Sequence, residues 1–397
     1  MSISYLTQIP FTTYQNIIKE NIIRPAFRLF ILNPDESIRE DITEYLMLGT
    51  GSLSINYNKG QRRSITFDLD NKNGQFTPNI LGKIWINTKF RFELGVIDKD
   101  GNEIYSPAGI FVISNPNTAR TGAELTISIQ AYDKFSLIDG TLGGNLEAVY
   151  EIPAGTSVKN AIEDTLLLDN GNGFPIDIKS VIFDLELMDK KTETIISKFP
   201  NESIGSIFLD LADMFGADIW YDTEGHLNFI SGIEDISQSM KPNLWIYKDT
   251  ELEYIGGDTT YNFEQVKNRV VVAGCNVNGD YIYTGIAENN NPLSPTRISA
   301  IGTKNIYYED ANIYSDELAQ QRAEYELNKI SILQQTINLL STYMIHLDVN
   351  NCVQLTDKFY DFYETRFLIQ SIDIPIDIES VITISCTNIG ALPFYNL

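Results

Sequence analysis

Carboxylates, histidines and cysteines are the side chains of this sequence that could carry chemistry. Its 397 residues include 53 Asp and Glu, but only two histidines, His226 and His346, and three cysteines, Cys275, Cys352 and Cys386. Two histidines exclude a three-histidine metal site within one chain, and His226 follows an Asp-Thr-Glu-Gly turn that leads into a strand. An odd number of cysteines without a paired short spacing predicts neither a disulfide framework nor a zinc site, so we expect three buried or half-buried apolar residues.

Paired carboxylates can act as general acid and base, and two pairs stand on or beside predicted strands: Asp68 with Asp70, and Asp373 with Asp377. Among 53 acidic residues some pairs approach each other in any fold, and alternation along the strand directs Asp68 to solvent. The pairs therefore do not indicate a glycosidase. The sequence also lacks the motifs of α/β-hydrolases, zinc proteases and P-loop proteins. We expect no catalytic residue and no enzyme activity.

Two acidic loops look like calcium loops, one beginning at Asp98 and one at Asp68. A twelve-residue calcium loop ends on a bidentate Glu, but the twelfth positions here are Gly109 and Asn79. We predict a hairpin turn at Asp98, no metal site and no cofactor site. The glycine-rich segment 140–144 lacks the lysine of a phosphate loop and is interpreted as a linker.

Composition and charge limit the class of protein. Hydrophobic residues make up 43% and charged residues 21% of the chain, as in a packed globular protein. A formal charge of −24 repels phosphate backbones and anionic lipid surfaces, which argues against a sequence-reading nucleic-acid binder. No apolar run approaches the ~20 residues that a bilayer needs, and the N-terminus lacks a signal-peptide pattern, so we expect no membrane insertion.

The sequence predicts a mainly β fold with α+β elements. In residues 1–143, apolar and polar residues alternate with period two at 53–57, 65–69, 90–97 and 124–132, which is typical of half-buried strands. We expect these strands to form an N-terminal β-barrel domain.

Residues 144–245 change to helical spacing. Apolar residues recur at 158–166 after Thr156 or Ser157 as N-cap, and at 204–215 after Ser203. Strands at 217–221 and 226–230 follow. We expect a small α+β domain with two helices and a hairpin.

Residues 246–397 return to strands, which predicts a second β-barrel domain with an inserted loop and helix at about 285–332. Two hairpins support a duplication: 109–114 (GIFVIS) with 124–129 (ELTISI) resembles 365–370 (TRFLIQ) with 381–386 (VITISC). Many hairpins rich in Ile and Thr look alike, so chance similarity is the alternative. On the duplication hypothesis, strands 62–77 and 109–132 lie in one barrel, and strands 269–273 and 335–387 lie in another of similar shape.

Aromatic residues are concentrated at 281–283 (YIY), 307–308 (YY) and 359–363 (FYDFY). Tyr-rich surfaces are common in carbohydrate binders and interfaces, although aromatic residues are also enriched in strands. Because these segments place aromatic rings on both faces, we expect some rings to be exposed or covered by a partner.

The segment 60–79 (GQRRSITFDLDNKNGQFTPN) resembles a segment of the central tail hub, or baseplate hub, proteins of tailed phages and phage-tail-like particles, also called tail-associated tip proteins. The shared features are a basic residue before an alternating strand, an Asn-Gly turn and an aromatic residue leading into Thr-Pro. The strands at 89–97 and 109–113, the helix and hairpin at 203–227 and the helix at 315–329 are similar to later parts of that family.

The resemblance implies a structural virion component with two tube-like β-barrel domains per chain. It implies a homotrimeric hub at the distal end of a tail, which joins the tail tube to the tip or baseplate and forms part of the DNA channel. The implied partners are tail tube and distal tail proteins, the tape measure protein, and tip spike or receptor-binding proteins. DNA is a partner only in transit. The implied location is the virion tail, after assembly in the bacterial host cytoplasm.

Two further expectations and one alternative accompany this resemblance. We expect no hydrolase extension in this sequence, which ends soon after its last predicted strand. The acidity of the chain predicts a partly acidic channel along which DNA slides. The alternative is that the acidity only keeps the protein soluble. The alternative function is a carbohydrate- or receptor-binding β-protein of the virion.

Overall fold

The computed structural model describes residues 11–19, 24–168, 175–192, 195–231, 242–275, 281–310, 313, 315–331, 333 and 335–389. Its first part consists of one short helix and seven strands: α1 (Phe11–Ile18), β1 (Arg24–Leu32), β2 (Ile38–Asp41), β3 (Leu46–Asn56), β4 (Arg63–Asp70), β5 (Lys89–Ile97), β6 (Glu103–Thr121) and β7 (Glu124–Asp133). The strands pair antiparallel in the order β2-β1-β5-β6-β7-β4-β3. All strands that alternation predicted in this part are present.

The middle part is a small α+β unit with its own core: β8 (Tyr150–Ile152), α2 (Val158–Leu166), β9 (Ile182–Phe183), α3 (Leu185–Met188), β10 (Ile196–Lys198), α4 (Ile204–Met214), β11 (Ala217–Tyr221) and β12 (Leu227–Ser231). The side chains of Ser157 and Ser203 cap α2 and α4 by accepting backbone N–H groups of the first helical turn. Both predicted helices and the predicted hairpin are confirmed.

The last part contains nine more elements of strand and two of helix: β13 (Asn243–Lys248), β14 (Tyr254–Tyr261), β15 (Arg269–Cys275), β16 (Tyr281–Glu288), α5 (Ile298–Ile301), β17 (Asn305–Asp310), α6 (Asp316–Ile330), β18 (Gln335–Ser341), β19 (Cys352–Asp357), β20 (Phe362–Pro375) and β21 (Ile382–Asn388). Six of these strands pair in the order β13-β19-β20-β21-β18-β14. The other three form a separate sheet that packs on α6. The fold is mainly β with α+β elements, as predicted.

The two β-rich parts repeat one strand order. β1-β5-β6-β7-β4-β3 in the first part corresponds to β13-β19-β20-β21-β18-β14 in the last. β-Bulges coincide as well: β6 is irregular after Ile113 and β20 after Ile369, and their neighbours are irregular after Phe92 and Leu355. The correspondence differs at β1, which is antiparallel to β5, whereas β13 is parallel to β19. The repeat indicated by the hairpins is therefore seen as a repeated strand order, and its origin by duplication stays a prediction.

The two β-rich parts are joined to each other, which the sequence did not predict. β3 pairs with β20, with Asn56 opposite Ser371, so both parts share one 13-stranded sheet and one core. This pairing arises because β20 continues beyond Leu368, the last residue paired with β19, and exposes an edge that β3 fills. The strand at 269–273 is also misplaced by the sequence prediction, since it belongs to the separate sheet. The domain boundaries at 143 and 245 and the insertion at 285–332 stay predictions.

Candidate functional site

The acidic loop at Asp98 is a hairpin turn between β5 and β6. The backbone N–H groups of Asp100 and Asn102 both donate to Asp98 Oδ1 at 2.8 Å, and Asn102 Nδ2 donates to Oδ2. The side-chain bond from Asn102 is the largest reason why the pKa of Asp98 lies below its ordinary value. Both carboxylate oxygens serve the turn. Across the described ranges, no group of three or more His, Cys, Asp or Glu side chains is arranged to hold a metal ion.

The two histidines occupy different parts of the fold. His226 ends the predicted turn before β12, where its Nδ1 lies 2.9 Å from the carbonyl oxygen of Ser180. His346 is 2% exposed, with Nδ1 3.1 Å from the Tyr14 hydroxyl. Burial lowers the pKa of His346 to about 3, so its ring is neutral at physiological pH. The three cysteines are buried, as expected.

The carboxylates considered as catalytic pairs have structural partners or lie on an open surface. Asp377 accepts hydrogen bonds from Ser380 Oγ at 2.8 Å and from the Glu379 N–H within the β20–β21 turn. Asp68 and Asp373 lie on the side of the sheet that faces away from the core, in β4 and β20. These contacts do not assign a catalytic role to the four carboxylates. That the chain has no catalytic residue stays a prediction.

The candidate functional site is a continuous polar surface on the central sheet. The central sheet comprises β14, β18, β21, the Ser371–Pro375 end of β20, β3, β4, β7 and the Asn115–Thr121 end of β6, in that order. Alternate residues of these strands point into the main core, and the others form what we call the polar face. One row of this face runs across five strands through residues opposite one another: Asp258, Asn338, Ser385, Ser371 and Asn56.

A second row shows that the polar face continues across the first part of the chain. Ser52, Thr66, Gln130 and Asn115 lie opposite one another on β3, β4, β7 and β6. Most residues of the face are Ser, Thr or Asn, whose short side chains bond to one another or to the backbone. For example, Ser385 Oγ donates to Asn338 Oδ1 at 2.7 Å, and Asn338 Nδ2 donates to Asp258 Oδ2 at 3.0 Å. The surface is consequently polar and low in relief.

The polar face is acidic. Its charged residues are Asp68, Asp70, Glu124, Asp258 and Asp373, all partly or fully exposed. Within the described strands, no Lys or Arg lies on this face. Because like charges repel, the face disfavours close approach of phosphate groups.

The other side of the same strands holds the face in place. Phe67, Ile129, Ile372 and Ile384 are at most 1% exposed and belong to one core that joins both halves. The rings of Phe27 and Tyr343, from opposite halves, meet edge to face with centroids 5.9 Å apart. A core shared by both halves prevents them from moving as independent units.

A buried ion cluster fastens the α+β unit to the sheet. Lys134 Nζ lies 2.7 Å from Glu36 Oε1 and 2.8 Å from Asp177 Oδ2, and donates to the Gly225 carbonyl at 2.9 Å. Burial alone would raise the pKa of Glu36, but Lys134 and Lys89 outweigh it and lower that pKa to about 2. Burial likewise lowers the pKa of Lys134, opposed by both carboxylates. The Glu36 carboxylate is therefore ionised at neutral pH, beside the ammonium group of Lys134.

The basic residues that open the hub-like segment form the second attachment. Arg62 Nη2 lies 2.7 Å from Asp218 Oδ2, and its guanidinium stacks 4.0 Å from the centre of the Trp220 ring. Arg63 Nη1 donates to the Tyr221 carbonyl at 2.9 Å, and Nη2 pairs with Asp348. Both arginines are less than 5% exposed, and their partners lie in the α+β unit and in the last part of the chain, so this motif joins three parts of the fold.

The aromatic segments are partly exposed, as expected. Phe359 and Tyr363 in the β19–β20 hairpin are 83% and 81% exposed, whereas the rings of Tyr360 and Phe362 stack 5.7 Å apart. In β17, Tyr307 is 56% exposed. No described helix is long and apolar enough to cross a membrane.

Comparison with known proteins identifies the fold, but the family model that matches covers only the last part of the chain. Residues 290–395 match a domain of unknown function, DUF5048. No curated protein matches the sequence.

Three solved structures illustrate the similarity of fold. The 43 kDa tail protein of prophage MuSo2 from Shewanella oneidensis has a TM-score of 0.62 at 13% identity, over 94% of this chain and 99% of that one. The tail protein of Neisseria meningitidis MC58 has a TM-score of 0.59 at 10% identity, over 93% and 99%. A chain of the Francisella PdpA-VgrG complex has a TM-score of 0.55 at 11% identity, over 97% and 54%. The chain thus has the fold of phage tail proteins, which confirms the resemblance at the level of fold.

Proposed function

We propose that this protein is a structural component of a phage tail or phage-tail-like particle, and that three copies form the hub at the distal end of the tail tube. The observation that carries the proposal is the repeated strand order, with one polar face shared by both repeats. Three chains with two repeats each present six similar units, which suits a contact with a hexameric tail tube. The fold shared with two tail proteins supports this assignment.

The polar face is proposed as the wall of the central channel. Each chain contributes eight strands to that wall, four from each repeat. At ~4.8 Å between neighbouring strands, three chains enclose a circumference of about 115 Å, or a backbone diameter of about 37 Å before strand tilt widens it. Such a lumen admits double-stranded DNA.

The acidic character of this wall suits transit of DNA. Phosphate contacts with Lys and Arg supply most non-specific affinity for DNA, and the described part of the polar face offers neither residue. Near a wall of hydroxyl, amide and carboxylate groups, each DNA phosphate has a short residence time. On this proposal acidity has a role in the channel in addition to solubility.

The proposed hub acts by assembly and not by catalysis. Its partners are the tail tube and distal tail proteins, the tape measure protein and a spike or receptor-binding protein at the tip, and cell-wall cleavage belongs to another protein. Its proposed location is the virion tail, after assembly in the host cytoplasm.

Light scattering of the purified protein and electron microscopy of tagged particles test the proposal. We expect a species of three 44.8 kDa chains, a label at the tip end of the tail, and no clearing in zymography on host cell walls. A monomer at every concentration, or a label away from the tail, would overturn the hub. Clearing that is lost on changing one carboxylate would overturn the structural role.

A further inference from the structure

The central sheet has two outer edges, and none of the described strands covers either of them. Among the described strands, β14 pairs with β18 alone, and the 115–121 end of β6 pairs with β7 alone. All residues from Asn115 to Thr121 are exposed, and in β14 and just after it Ile255, Tyr261 and Phe263 are 51%, 44% and 74% exposed. Such edges present unpaired N–H and C=O groups that readily accept another strand.

The chain contains a template for what covers these edges. By the repeated strand order, β14 corresponds to β3 and β6 corresponds to β20. Within the chain, β3 already pairs antiparallel with the end of β20 that outruns β19. The end of β6 outruns β5 in the same way, because Val112 is the last β6 residue paired with β5. Each open edge is therefore the counterpart of an edge that is filled within the chain.

We propose that β14 of one copy pairs antiparallel with the 115–121 end of β6 in the next copy, so that three copies close a ring. This inference rests on the proposed trimer and identifies the strands that join it. The occupant is a second copy of this chain, because the complementary edge lies on the chain itself.

The coincident bulges set the register. Aligning Ile113 with Ile369 makes Asn115–Ala119 the counterpart of Ser371–Pro375. From there the alignment is carried strand by strand, through β7 and β4 in the first repeat and through β21 and β18 in the second. It makes residues 258–262 of β14 and just after it the counterpart of residues 52–56 of β3. The β3–β20 pairing places Leu53 opposite Ile374 and Ser52 opposite Pro375. We call the proposed pairing of β14 with β6 of the next copy the seam. The same register at the seam places Thr259 opposite Thr118 of the next copy, and Asp258 opposite Ala119.

The faces of the two strands agree with this register. Asp258 and Ala119 both lie on the polar face, so the face continues from one copy into the next. Tyr261 and Pro116 both lie on the opposite, core-facing side, where the exposed Tyr261 ring covers the proline. A shift by one residue would turn the polar-face residues of one strand towards the core side of the other strand.

Disulfide trapping tests the register. In the double variant Thr259→Cys with Thr118→Cys, mild oxidation should give a reducible product of up to three chains on a denaturing gel. The native cysteines are buried and give little background. The matched control is Thr259→Cys with Asn115→Cys, which is three residues out of register, about 10 Å, and should cross-link far less because a disulfide needs Cα atoms within about 7 Å.

A charge variant tests the same seam without cysteine. Ala119→Asp places a second carboxylate opposite Asp258 and should shift the protein from trimer to monomer, whereas Ala119→Lys should keep the trimer. Ala119 is exposed, and circular dichroism checks that both variants are folded.

The outcomes separate the seam from the trimer. A trimer by light scattering that cross-links equally in both cysteine variants, or in neither, would show that other surfaces join the copies and would overturn the pairing alone. A wild-type protein that stays monomeric at all concentrations would overturn the trimer as well. Monomers from both Ala119 variants would contradict the predicted opposition to Asp258.

Discussion

Lowering the pH from 7 to 5 should destabilise the folded protein by about 2 kcal/mol through His346 alone. The ring is buried beside Trp245 and Tyr14, and its pKa is about 3 in the folded chain against an ordinary value of 6.5. Below pH 6.5 the unfolded chain binds a proton that the folded chain does not, so stability is full above that pH and falls as pH decreases towards 3. The slope approaches 1.4 kcal/mol per pH unit, and the total loss approaches about 5 kcal/mol.

Urea unfolding at pH 5, 6 and 7, followed by tryptophan fluorescence, measures this dependence. The variant His346→Asn removes the titrating group, and its loss of stability between pH 7 and 5 should be about 2 kcal/mol smaller than that of the wild type. The matched control is His226→Asn, at the surface turn, which should keep the wild-type dependence. If His346→Asn retains the full wild-type loss, the ring is not buried and neutral as described, and the reasoning is refuted.

Three further measurements probe the packing that holds the polar face. Lys134→Met should lower the free energy of unfolding by about 3–5 kcal/mol in urea, because it leaves two buried carboxylates without their shared cation; a change below about 1 kcal/mol would contradict the cluster. Gly144→Ala should cost about 1–3 kcal/mol more than Gly155→Ala, since both have positive φ but only at Gly144 would a Cβ lie 2.4 Å from neighbouring backbone; equal costs would contradict that contact. A thiol reagent should label the protein only after denaturation, because the cysteines are buried and burial raises the pKa of Cys386; rapid labelling of the native protein would contradict this.

The sequence predicted strands where one side is buried and the other is not. β4 and β7 alternate buried and partly exposed residues, and period two was visible in both. β1 is buried on both sides over most of its length, so its apolar residues run almost continuously and give no alternation. β14 contains two glycines and lies at an edge, which weakens any propensity signal.

Long-range pairing was the part that local sequence could not supply. The contact of β3 with β20 joins residues more than 300 positions apart, and it depends on which strand extends beyond its neighbour. The same limit applies to the polar face. Alternation predicted outward polar positions in β3 and β4, but nothing in one strand shows that eight strands form a single surface. The hub-like segment was the signal that could have directed attention there.

Along the chain, the separate sheet of β15, β16 and β17 with α6 is inserted between β14 and β18. Their counterparts β3 and β4 are joined by only residues 57–62. The two repeats thus differ in this connection as well as in the directions of β1 and β13. In the proposed ring of three chains, the separate sheet would recur at every second repeat around the circumference. The proposed channel would then have six similar units, and the separate sheets would have three. On the proposed function, a subunit with two repeats would match a six-fold tube through its channel and still provide three equivalent places for attachments on the separate sheets.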